Sequence, residues 1–63
     1  MSETWESATA YVIAALEAKG TATRHDFDVP AIVAASRDIA DSWDFRAIEA
    51  ATFWRIAATF LRV

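Results

Sequence analysis

The chain has 63 residues, a formal net charge of −3, one histidine and no cysteine. That length predicts a single domain, 1–63; the absence of cysteine excludes a disulfide framework, and one histidine without cysteine argues against structural zinc. The composition is 56% hydrophobic and 13% aromatic with one Gly, one Pro and fifteen Ala. It predicts an all-α chain carrying more apolar surface than so short a domain readily buries.

The first helix is predicted over about residues 3–18. Ser2 is the expected N-cap, and Glu3 and Glu6 suit the positive end of the helix dipole. Trp5, Ala8, Val12, Ala15 and Leu16 fall on one stripe, flanked by Tyr11 and Ile13. Lys19 closes the last turn, and Gly20 supplies a left-handed residue after it.

Thr21 to Asp28 forms the one long connection. Asp28 then caps a second helix over about 29–41, with Pro30 in its first turn, where a missing N–H costs nothing. Phe27 before the cap and Ile32 after it occupy the positions of a hydrophobic staple. Ile32, Val33, Ala35 and Ile39 are expected to face inward, and Arg37, Asp38 and Asp41 to face water.

The same spelling recurs after a short turn. Trp43, Asp44 and Ile48 repeat the staple and cap, which predicts a third helix over about 45–62. The staple also assigns Trp43 to the core. A start near Glu49, with Phe45 to Ile48 as an extended lead-in, is the alternative. Along this helix Ile48, Phe53, Trp54, Ile56, Ala57, Phe60, Leu61 and Val63 occupy most of the circumference. Glu49, Thr52, Arg55, Thr59 and Arg62 leave only a narrow polar strip. A helix apolar on nearly every side is buried on nearly every side, more than two neighbouring helices would cover.

Charge is divided along the chain. Residues 1–45 carry eight acidic and three basic side chains, whereas residues 46–63 carry three Arg and one Glu. The N-terminal residues are acidic, unlike a signal peptide, and the longest apolar run, Tyr11 to Leu16, is far shorter than the ~20 residues of a membrane span. With the absence of cysteine, this predicts a cytoplasmic location.

Catalytic motifs are missing. The single Gly excludes a glycine-rich phosphate cradle, and neither Gly-x-Ser-x-Gly nor His-Glu-x-x-His occurs. No catalytic residue and no cofactor are therefore assigned. His25, Asp26 and Asp28 are the best metal candidates, but a calcium loop starting at Asp26 would need Gly at Ala31 and Glu at Arg37. Ordinary capping explains these residues more simply. The second and third helices have a turn length suited to a helix-turn-helix, yet Asp44, Phe45, Arg46 and Glu49 would present mixed charge to phosphate on an acidic protein. Two arginines, Arg55 and Arg62, also attract an anionic membrane weakly.

The sequence thus predicts a three-helix domain whose second and third helices form a short-looped hairpin, paired as a homodimer through the last helix. Its expected role is a protein interaction module of regulatory or adaptor type. The expected contact surface is Phe53, Trp54, Ala57, Phe60 and Leu61, with Tyr11, Arg55 and Arg62 as secondary contacts. A dimeric DNA-binding regulator is the alternative, followed by a metal loop at His25, Asp26 and Asp28.

Overall fold

The computed structural model of the chain describes residues 4–18, 20 and 22–62. Three α-helices follow in order: α1 (Trp5–Glu17), α2 (Val29–Ala40) and α3 (Ala50–Thr59). A 3₁₀ turn precedes each of the last two, at Arg24–Asp26 and Phe45–Ala47. Among the described residues there is no strand, only one antiparallel bridge between Phe27 and Leu61.

Helix α1 starts at a reciprocal capping box. The Ser7 N–H donates to Thr4 Oγ1 (3.3 Å), and the Thr4 N–H donates to Ser7 Oγ (2.8 Å). Two otherwise orphaned donors are satisfied at once. Thr4 therefore caps the helix; Ser2, the expected cap, and Glu3 lie outside the described residues, as do Lys19, Thr21 and Val63. Gly20 takes the left-handed conformation (φ 70°), and its N–H donates to the Glu17 carbonyl.

Helix α2 begins as its sequence predicts. Asp28 Oδ1 accepts the Ala31 N–H at 3.4 Å, and Pro30 sits in the first turn. Phe27 and Ile32 are both buried, which completes the staple. Asp41 ends the helix in the left-handed region (φ 56°), its N–H donating to the Arg37 carbonyl. Ile39 departs from expectation: it is 55% exposed. The buried face of α2 is formed by Val29, Ile32, Val33 and Ser36, and on a 3.6-residue period Ala40, not Ile39, continues it. Ser36 was not foreseen there. It is fully buried, and its hydroxyl has no hydrogen-bond partner.

The third helix begins five residues later than about 45, close to the alternative start near Glu49. Asp44 does act as a cap, but of the single 3₁₀ turn, accepting the Arg46 N–H at 3.1 Å. Phe45 fills the core in place of Trp43, and the chain is extended at Ile48 and Glu49 before α3. The reason is angular. In an unbroken helix Ile48 would point roughly 130° from the centre of the face formed by Phe53, Ile56, Ala57 and Phe60. The break instead lets Phe45, Ile48 and that face all pack against one core.

Helix α2 is the middle element, packing on α1 and on α3. The chain then closes on itself beyond α3. The Asp28 N–H donates to the Phe60 carbonyl (2.9 Å), and the Arg62 N–H donates to the Asp26 carbonyl (2.7 Å). This clamp holds the start of α2 against the end of α3. The core it encloses runs through Ala8, Val12 and Leu16, through Phe27, Ile32 and Val33, and on to Phe45, Phe53, Ile56 and Ala57.

Candidate interaction surface

The residues expected to form one contact patch on the last helix are divided by the fold. Phe53 and Ala57 are buried within the chain's own core and are removed from any surface. Trp54 and Phe60 are half-buried and pack against that core, with Trp54 edge-on to Phe53 at 5.5 Å. Leu61 is 48% exposed, and Arg55 and Arg62 are exposed. Tyr11 is exposed on α1, edge-on to Phe45 at 6.4 Å. Phe53, Ile56 and Ala57 of α3 belong to the common core, and α3 packs on α2. The radius of gyration, 10.7 Å, is that of a compact chain of this length, about 11 Å.

The flanks of α1 carry two hollows. On one flank Trp5, Thr9 and Ile13 stand at successive i, i+4 positions and form one wall of a groove of about 310 Å³. Phe27, Val29 and Pro30 form the other wall, and Arg24, His25 and Arg62 edge it. The connection before α2 and the segment after α3 thus supply the groove's polar rim. Trp5 is 43% exposed and meets Trp43 edge-on at 5.6 Å; the Arg37 guanidinium lies 5.2 Å from the Trp43 ring centre. Trp43, assigned to the core by the staple, is half-buried: it packs against the core's edge and also joins this outer stack.

Each arginine of the rim is held by a carboxylate outside the lining. Glu17 accepts the Arg24 backbone N–H at 2.8 Å and two guanidinium hydrogen bonds at 3.3 Å. The backbone bond first, then the guanidinium, lowers the Glu17 pKa from its ordinary value. Arg62 pairs loosely with Asp28 at 3.9 Å. Thr9 Oγ1, in the α1 wall, is buried and without a hydrogen-bond partner.

The opposite flank is more polar. Ser7, Ala10 and Tyr11 face Trp43, Asp44, Phe45 and Arg46 across a hollow of about 330 Å³. Arg46 grips both oxygens of Asp44 (2.8 and 2.9 Å) and also donates its backbone N–H, lowering the Asp44 pKa to about 2.

Asp26, Asp28 and Arg46, named in the two alternative readings, are engaged in local contacts. The Asp26 carboxylate accepts the Thr23 N–H at 2.9 Å, and Asp28 is spent on its cap and on Arg62. Among the described residues no three His, Cys, Asp or Glu side chains are grouped to hold a metal. A helix-turn-helix would present the start of α3 to DNA, but that first turn holds Ala50, Ala51 and Thr52 after Glu49, and Arg46 lies outside it, engaged by Asp44. Among the described residues no helix is long and apolar enough to cross a membrane.

Sequence reasoning missed the groove because it counted Trp5 with the core stripe. A readable signal existed in the i, i+4 ladder of Trp5, Thr9 and Ile13 beside that stripe. Among the described residues, the fold and surface define a small all-α domain of three helices with an apolar groove beside Trp5. No family model matches the chain, and neither a curated protein nor a solved structure matches it.

Proposed function

We propose that this chain is a small protein-binding module, of regulatory or adaptor type, that receives its partner on the α1 groove. The observation that carries the reading is the 43% exposure of Trp5 at the lip of an apolar groove. A tryptophan costs much to leave in water, and exposed tryptophans anchor interfaces far more often than chance. Burial of Phe53 and Ala57 weakens the case for a homodimer built on α3, while Leu61 and the half-buried Trp54 and Phe60 leave a smaller surface there. The packing of α2 on α3 supports treating the two as a helical hairpin, although their connection, 41–49, is longer than the short loop expected because it holds the 3₁₀ turn Phe45–Ala47.

The test is site-specific photo-crosslinking in cells. A benzoylphenylalanine at position 5 should give discrete adducts that the same probe at exposed Ala58 does not. Equal adduct patterns at both positions, or none at position 5, would overturn the proposal. Adducts at twice the chain mass would identify a second copy as the occupant.

A further inference from the structure

Resting on that reading of the groove, we infer that its occupant is an apolar segment of another protein flanked by acidic residues, not basic ones. The argument is charge placement. The protein as a whole is acidic, with a net charge of −3, yet the ionisable side chains lining this groove are Arg24, His25 and Arg62, with no carboxylate among them. The acids nearest them serve other ends: Glu17 holds Arg24, Asp28 caps α2 and pairs loosely with Arg62, and Asp26 holds Thr23. A guanidinium has five N–H donors. Glu17 takes two of those on the Arg24 side chain, and Arg62 reaches Asp28 only at 3.9 Å, beyond hydrogen-bond range. Both arginines therefore keep donors for a carboxylate arriving at the rim. Between them lie Ile13, Phe27, Val29 and Pro30, which suit aliphatic or aromatic anchors. The 310 Å³ hollow is at the small end of binding sites and fits a few side chains, not a folded surface.

The experiment is selection of a displayed random peptide library on the intact chain, with the Trp5→Ala and the Arg24→Gln/Arg62→Gln variants as parallel targets. Peptides that combine aromatic or aliphatic anchors with flanking Asp or Glu should be enriched on the native chain and lost on Trp5→Ala. On the double arginine variant the same peptides should bind more weakly, by about two- to fivefold for each cation removed, the range of an exposed ion pair. Added salt should weaken them as well. Trp5-dependent peptides with neutral or basic flanks would overturn this inference and leave the groove reading standing. The absence of any Trp5-dependent peptide would overturn both. Circular dichroism of each variant verifies that a loss of binding is not a loss of fold.

Discussion

Two stretches of this chain are spelled alike and fold differently. Phe27-Asp28 leads to Ile32 and Trp43-Asp44 leads to Ile48, each an aromatic, an aspartate and an isoleucine at equal spacing. At the first, Asp28 opens α2 and both apolar partners are buried. At the second, Asp44 caps one 3₁₀ turn, Trp43 moves to the outer stack, and Phe45 takes the core position. The neighbours explain the divergence. Pro30 pre-sets helical backbone after Asp28, and the Phe60 carbonyl receives the Asp28 N–H from across the fold. Asp44 is instead bound to Arg46 two residues on, and the side chain directly behind it, Phe45, is buried beside Tyr11 of α1 and against α2. A cap motif proposes a helix; the residues that must reach the core decide whether it continues.

The comparison breaks most visibly at Phe45. Phe45→Ala should destabilise the chain by about 3–5 kcal/mol, enough to unfold a domain of this size, whereas Ile48→Ala at a half-buried site should cost about 1 kcal/mol in urea melts. The reverse order would mean that Ile48, not Phe45, anchors this segment as the staple predicts.

The two aspartates offer the next contrast. Asp28→Ala should cost about 1 kcal/mol and lower helicity by circular dichroism, because α2 loses its cap. Asp44→Ala should leave the helicity of α3 unchanged, since its cap serves only the preceding turn. Equal loss of helicity in both variants would erase the distinction.

The register launched from Asp28 can be sharpened at Ser36. It turns a serine hydroxyl into the core without a partner. Ser36→Ala should therefore stabilise the chain by roughly 1 kcal/mol, and a destabilisation of that size would mean the hydroxyl is satisfied after all.

The smallest effect is a titration. The folded Asp44 pKa, about 2, lies below its model-compound value of 3.8. Its contribution is thus fully present above pH 4 and is lost as pH falls through about 2. The pair is exposed, so the readout is spectroscopic: the Asp44 carboxyl resonance should move with a midpoint near pH 2, together with Arg46 Nε. A midpoint near 4 would show that Arg46 does not hold it.

The groove was harder to read than the helices for a related reason. Its residues come from α1, from the connection before α2 and from the segment after α3, and nothing in their order along the chain announces that they meet. Trp5 shows the difficulty well. Its spacing from Ala8 and Val12 assigns it to the buried stripe, but at the first residue of α1 it stays 43% exposed, edge-on to Trp43. Phe53 and Ala57 show the opposite error. The breadth of apolar residues around α3 implied a partner, while Phe53, Ile56 and Ala57 are buried in the chain's own core, where α3 packs on α2.

By itself the sequence determined what depends on neighbours within a turn or two: three helical segments, the Asp28 cap with its staple, the left-handed Gly20 and the inward stripe of α1. These follow from backbone sterics, capping hydrogen bonds and a 3.6-residue period. Only the tertiary structure decided where α3 starts, which aromatics are buried, and that α1, the connection before α2 and Arg62 line one groove. Those outcomes depend on which side chains compete for a single small core and on the clamp between Asp26–Asp28 and Phe60–Arg62. Contacts between residues more than thirty positions apart are set by shape and volume in three dimensions, which no local pattern encodes.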